Sequence, residues 1–185
     1  MEIIEFPSVL YKIESRGSGR ESVALIDEFH EYCRPVLNPV LTEYCTELTG
    51  ITQEVVDAAD VLPNVLKRHC EWLLRQTGDE SGKDVLILTC GAWDLRTMLP
   101  LEVKNKTLDI HHLYGRYLNI KELFESVYGR KGGGMTDMLS KLKIALTGRH
   151  HSGIDDTRNI AKIFLQMKRD GLTSHIIKKH VRKVE

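Results

Sequence analysis

The stretch Val85-Leu86-Ile87-Leu88-Thr89-Cys90-Gly91-Ala92-Trp93-Asp94 decides how this chain folds. Its first six residues form a continuous apolar run after a polar loop (residues 77–84), the mark of a strand buried on both faces. Gly91 breaks the run, and Trp93-Asp94 opens a short helix expected to end before Pro100.

Working outward, residues 2–13 are rich in β-formers with Pro7 inside, and residues 23–35 partly alternate, so the two read as a hairpin. Residues 14–22, with Gly17, Ser18 and Gly19, supply its turn. Leu41, Tyr44, Cys45 and Leu48 recur at helical spacing, and Gly50 stops that helix. Leu62, Val65, Leu66, His69, Trp72 and Leu73 give a longer amphipathic helix, with Pro63 in its first turn. Residues 117–128 read equally as strand or helix. Gly132 to Gly134 form a flexible loop rather than a phosphate cradle, since no Gly-Lys-Ser/Thr follows. Helices at 136–146 and 155–170 complete an α/β pattern: a mixed sheet flanked by helices, in one domain over residues 1–185 with a basic segment at 174–185.

Composition narrows the class. The 185 residues are 42% apolar and 28% charged, as in a globular protein. No run approaches the length a membrane helix needs, and the first fifteen residues lack a signal-peptide pattern, so an intracellular protein with no membrane partner is expected. Cys33, Cys45, Cys70 and Cys90 contain no C-x-x-C pair, against both a zinc knuckle and a disulfide scaffold. Net charge is zero but polarised: residues 1–60 carry 4 basic and 12 acidic side chains, residues 141–185 carry 11 and 4. A basic C-terminal quarter can attract a polyanion in a neutral protein. Its densest part holds Lys178, Lys179, Arg182 and Lys183, a candidate nucleic-acid contact.

Two segments could carry chemistry. In His150-His151-Ser152-Gly153-Ile154-Asp155-Asp156, the apolar stripe Ile160, Ile163, Phe164 and Met167 steps back four residues to Asp156. That places a carboxylate on the inward face of a helix mouth, a costly position unless a cation or hydrogen bonds compensate it. Asp155 is the expected helix cap. His151, five residues earlier, has an imidazole suited to general-base work. In the second segment, Asp94 follows the buried strand, where open α/β sheets place their ligands. Taken alone, each segment reads first as a helix start favoured by its acidic residues, and Trp93 as a core residue.

Together the segments resemble the second and third motifs of the DEDDh 3′-to-5′ exonucleases: Trp93-Asp94 beyond a buried strand, then His151 to Asp156 at a helix start. Glu2-Ile3-Ile4-Glu5-Phe6-Pro7 and Glu47-Leu48-Thr49-Gly50-Ile51 are similar to the Eri-1-like branch, which trims RNA 3′ ends. The resemblance implies a ribonuclease-H-like sheet and a site for two magnesium or manganese ions. It implies that Asp94 and Asp156 hold the metals and that His151 takes the proton of the attacking water. It further implies that Leu48, Thr49 and Gly50, with Trp93, line the terminal-nucleotide pocket, and that the partner is an RNA 3′ end, single-stranded or an overhang.

The family's first motif, an Asp-x-Glu on a central strand, has no counterpart in these residues. The resemblance therefore implies an N-terminally truncated domain whose central strand is missing, whose two-metal site is incomplete, and whose neighbouring strands keep unpaired edges. Three function classes follow: an exoribonuclease, inactive in this form for want of two carboxylates; a non-catalytic RNA-binding module that keeps the fold; and a protein-interaction scaffold.

Overall fold

The computed structural model describes residues 2–16, 20–79 and 81–184; the hairpin turn at Gly17, Ser18 and Gly19 lies outside them. Strand β1 (Glu5–Arg16) pairs antiparallel with β2 (Arg20–Arg34), which pairs in parallel with the short β3 (Asp60–Val61). A second sheet joins β4 (Ile87–Thr89) in parallel to β5 (Arg116–Asn119), which takes β6 (Arg182–Lys183) antiparallel on its other side. Among the described residues, the strand order is β1-β2-β3 in one sheet and β4-β5-β6 in the other, so β1 and β4 are both edges. Helices α1 (Glu43–Thr49), α2 (Gln53–Ala58) and α3 (Leu62–Thr77) lie between β2 and β4 in the chain. Helix α4 (Leu99–Lys106) follows β4, while α5 (Ile120–Tyr128), α6 (Met135–Lys141), α7 (Gly153–Arg169) and α8 (Ser174–Lys179) lie between β5 and β6.

The alternation of the hairpin strands explains the layers. On β1, Phe6 and Ser8 meet His69 of α3, through a ring contact and a 2.8 Å hydrogen bond. The intervening Glu5 and Pro7 lie against Gly153 at the start of α7. On β2, Asp27, Phe29 and Glu31 contact Trp72, His69 and Arg68 of α3, while Glu28 pairs with Arg158 of α7. Successive side chains of a strand point to opposite faces, so the hairpin is clasped between α3 and α7. A bulge at Leu10/Tyr11 shifts the register and turns the outer half of the ribbon. The apolar residues settle into two clusters. One gathers α3 with Phe29, Leu95, Leu99 and Tyr114, the other α5 to α8 with Leu118. The run leading into β4 divides between them: Val85 and Ile87 pack with the first, Leu86 and Leu88 with the second.

Three expectations need correction, and the open reading of residues 117–128 is resolved. The apolar run at 85–90 is not sealed on both faces: apart from Val85 it is only half-buried, because β4 opens on its unpaired side to a cavity. The helix opened by Asp94 does not stop before Pro100. It begins as a π-turn over Asp94–Met98, closed by the Leu99 N–H on the Asp94 carbonyl, and passes straight into α4. Pro100, which has no N–H to donate, falls in the first turn of α4, directly after the wider turn. Residues 117–128 are a strand and then a helix, divided at Asn119, whose side chain accepts from the Lys121 N–H. Helix α6 ends at Lys141, short of residue 146, because Lys143 takes a left-handed φ of 56°.

Candidate active site

Asp94, His151 and Asp156 line one cavity of about 1260 Å3, together with Thr49, Ile51 and Cys90. Asp94 is carried there by β4 and the π-turn that follows. Its side chain is reached by water in the cavity yet crowded by protein, and that desolvation pushes its carboxyl above the usual carboxylate range. Asp156 comes from the first turn of α7. Its Oδ2 accepts from the His151 backbone N–H at 3.2 Å, and its Oδ1 lies 3.1 Å from Nδ1 of His150. Cys90 borders the same cavity: burial raises its thiol pKa, Lys121 acts against that rise, and Asp94 and Asp156 each add to it. The ligand atoms of His150, His151 and Asp156 lie within 4.8 Å of one another, a group able to hold a metal ion.

The loop bearing His151 is fixed by bonds that sequence reading missed. His151 has a left-handed φ of 72°, and its ring stacks on His150 with centroids 3.8 Å apart. Asn159, fully buried, donates to the carbonyls of Thr147 and Asp155 at 2.8 Å and accepts from the Thr147 N–H at 3.1 Å. These bonds tie the loop to α7 and so hold His151 over the helix mouth.

The cap of α7 is another surprise. Asp155, expected to cap, accepts instead from the Arg149 N–H at 2.9 Å. The first two helical N–H groups, of Gly153 and Ile154, are satisfied by Glu5 of β1 at 2.8 and 3.0 Å. A carboxylate there completes orphan donors and complements the helix dipole. Glu5 Oε1 also lies 2.9 Å from His30 Nε2. Gly153 is required by this closeness, since a Cβ on it would sit 2.7 Å from Glu5 Oε2 and 3.1 Å from Pro7. No local pattern signals this cap, because its acceptor lies 148 residues earlier. Glu2, the other N-terminal acid, is likewise structural. Burial acts to raise its pKa, but Lys106 and the backbone N–H groups of Val36 and Asn38 hold it down at about 2.

The remaining candidates scatter. Thr49 reaches the cavity, but Leu48 and Gly50 are not part of its lining. Trp93, read as a possible core residue, is 58% exposed beside Asp94. Lys178 lines the cavity at a place shared with Ser174 and Ile177. Lys179 is exposed at the end of α8, and Arg182 and Lys183 form β6, where Arg182 grips Glu122 at 2.7 Å. The basic segment is therefore a folded element and not a loose tail.

The sequence model of the RNase_T exonuclease family matches residues 1–164. The chain belongs to this exonuclease family. Its curated relatives include 3′-5′ exoribonuclease 1 of Rattus norvegicus, 38% identical over 180 residues, covering 96% of this chain and 50% of the relative. ERI1 exoribonuclease 3 of Homo sapiens is 39% identical over 163 residues, covering 88% and 46%. This exonuclease chain thus spans about half the length of the curated relatives it matches. Among solved structures, the nuclease domain of 3′hExo, a DEDDh family member bound to rAMP, superposes with a TM-score of 0.75 at 28% identity, covering 92% of this chain and 94% of that one. A 3′-exonuclease recognising the 3′ end of a histone mRNA stem-loop gives a TM-score of 0.76 at 25% identity, covering 99% and 86%. The mixed α/β architecture is that of ribonuclease-H-like exonucleases.

Proposed function

We propose that this exonuclease-family chain removes nucleotides from the 3′ end of RNA by metal-dependent phosphodiester hydrolysis. The observation that carries the reading is the meeting of Asp94, Asp156 and His151 in one cavity, on a π-turn and a helix mouth far apart in sequence. The donor set fits a hard dication in part. Asp94 is crowded by protein and its charge disfavoured, so a cation would relieve it, and Asp156 offers oxygens next to an imidazole pair. When bound, a pair of magnesium or manganese ions would acidify a water and balance charge on the phosphorus and the departing 3′ oxygen.

The chain's own residues then have distinct parts. Asp94 and Asp156 hold the cations and His151 accepts the proton of the attacking water. Asn159 and Glu5 position the His151 loop and the helix mouth, while Thr49 and Ile51 wall the cavity near the scissile end. Glu5 is occupied in capping α7, so among the described residues Asp94 and Asp156 are the carboxylates left for metal at this end of the cavity. A hard dication takes about six oxygen ligands, so this chain by itself should bind metal weakly and digest RNA slowly. The direct test is magnesium- or manganese-dependent shortening of an RNA oligonucleotide labelled so that loss of its 3′ nucleotide is seen. Asp156→Asn and His151→Ala should each lower the rate by about a hundredfold or more, as expected for loss of a metal ligand or a general base. Undiminished rates in both variants would remove the site from the mechanism.

A further inference from the structure

A second pocket, of about 390 Å3, opens beside the carboxyl ends of the parallel strands β4 and β5, where open α/β sheets place their ligands. Ala92 and Arg96 border it from the turn after β4, and Glu122 from the first turn of α5; Tyr117, Arg182 and Lys183 border it from the β5–β6 ladder. Arg96 lines this pocket and Asp94 the first cavity, so the two spaces lie on different sides of one turn. The pocket's charge is organised. Arg182 donates from Nε and Nη2 to a single oxygen of Glu122, at 3.0 and 2.7 Å. That side-on grip fixes the guanidinium plane and leaves its end-on fork, at Nη1 and Nη2, for another acceptor. Glu122 is spent in doing so, since its other oxygen accepts from Asn119 at 3.4 Å. Tyr117 sits opposite Arg182 in the ladder, on the same face, and is 3% exposed. Its hydroxyl makes no hydrogen bond to any described residue, and the pocket is the solvent space that this residue borders.

Two guanidinium groups, an ammonium group and a buried phenol O–H make a site of donors and positive charge, which suits a tetrahedral anion with several acceptor oxygens. A phosphodiester fits it: its two free oxygens match the end-on fork of Arg182, and Tyr117 donates to the same group. The pocket and the first cavity are separated by about the width of a helix with its side chains, roughly 10 to 12 Å. An RNA strand whose 3′ end lies by Asp94 and Asp156 therefore reaches the pocket within a few nucleotides. We propose that Arg96, Tyr117 and Arg182 form a subsite for one phosphate of the RNA strand, upstream of the bond that is cut. It anchors the strand while its end is trimmed, so affinity depends on the chain that remains and not only on the terminal nucleotide. Which end of the RNA lies in the first cavity rests on the exonuclease reading above; the phosphate-binding property does not.

The test uses the full chain and a labelled single-stranded RNA in which one linkage at a time, other than the last, is replaced by an uncharged methylphosphonate. Binding is followed by fluorescence anisotropy with a chelator present, so that no bond is cut. Wild type should lose about tenfold in affinity at one upstream linkage and little at its neighbours, as expected for a charge-assisted contact. The Arg96→Gln/Arg182→Gln double variant should bind the unmodified RNA about tenfold more weakly, be indifferent to the charge of that linkage, and show a salt slope flatter by about 0.7 unit. Tyr117→Phe should lose about threefold at the same linkage. Urea midpoints equal to wild type would show that the variants fold. No sensitive linkage in wild type, or a double variant as sensitive as wild type, would overturn the proposal. So would adenosine monophosphate raising the Tm of wild type but not of the double variant with no linkage singled out, since the pocket would then take a free nucleotide. A sensitive linkage that depends on Arg96 and Arg182, without metal-dependent shortening of the unmodified RNA, would uphold the pocket and sink the catalytic reading; shortening with no linkage singled out would do the reverse.

Discussion

Glu5 offers the most searching test of how the site is held. Its carboxylate is 9% exposed and receives the N–H groups of Gly153 and Ile154 at 2.8 and 3.0 Å. Glu5→Ala strips the first turn of α7 of both acceptors. Loss of a side-chain cap costs about 1 kcal/mol. Removing a partly buried charge from a helix N-terminus adds roughly 1 to 2 kcal/mol. The expected loss is therefore about 2 to 3 kcal/mol, or roughly 4 to 10 °C in Tm for a chain of this size. Glu5→Gln keeps an acceptor oxygen but not the charge and should lose about 1 kcal/mol. Equilibrium urea unfolding gives the free energies, and amide exchange at Gly153 and Ile154 reports the cap itself. If Glu5→Ala lay within about 0.5 kcal/mol of wild type with those amides still protected, another group would be capping α7 and the argument would fail.

Three further outcomes follow from other parts of the molecule. Burial lowers the His69 pKa from 6.5 to about 3; the ring is enclosed by Ser8, Tyr114, Phe6, Phe29 and Trp72. The unfolded chain then binds the extra proton first, so this stabilisation is complete above pH 6.5. It falls by about 1.4 kcal/mol per unit as pH drops toward 3, a slope that denaturation curves of His69→Gln should lack. Lys106 is nearly buried between Glu2 at 2.8 Å and Glu102 at 2.5 Å. Lys106→Met should cost about 3 to 5 kcal/mol in urea denaturation by stranding two carboxylates, and the Glu102→Gln double variant should recover part of it. Replacing Lys178, Lys179, Arg182 and Lys183 by Ala should flatten the salt dependence of single-stranded RNA binding. With about 0.7 unit per phosphate contact, and Arg182 already held by Glu122, a change near 2 units is expected in binding isotherms. An unchanged slope would leave the basic segment without a part in RNA binding.

Much of this architecture was written in local patterns. The α3 stripe Leu62, Val65, Leu66, His69, Trp72 and Leu73 is buried throughout, because a helix with one apolar face has one way to lie on a core. The hairpin and the stop at Gly50, with its φ of 79°, were equally legible. What escaped depends on distant partners. Asp155 has the chemistry of a cap, but Glu5 outcompetes it through β1, which no spacing near residue 153 could announce. The π-turn at Asp94 hid the continuation through Pro100, since the proline rule presumes an α-helical frame. The apolar run at 85–90 implied burial on both faces, yet burial also requires a neighbour along the edge, and among the described residues β4 has one only in β5. Asp94, His151 and Asp156 were singled out from motif and helix phase; the supporting roles of Asn159 and Glu5 became visible only in three dimensions.

The central claim is that the cavity holding Asp94, His151 and Asp156 cleaves RNA from its 3′ end with metal. It is tested most directly by following single-nucleotide shortening of a labelled RNA over a magnesium titration, for wild type and Asp156→Asn. Wild type should digest from the 3′ end, slowly but with a rate that saturates in magnesium, and Asp156→Asn should fall by about a hundredfold or more while keeping the urea midpoint of wild type. Equal digestion by the two proteins, or digestion indifferent to magnesium, would contradict the account.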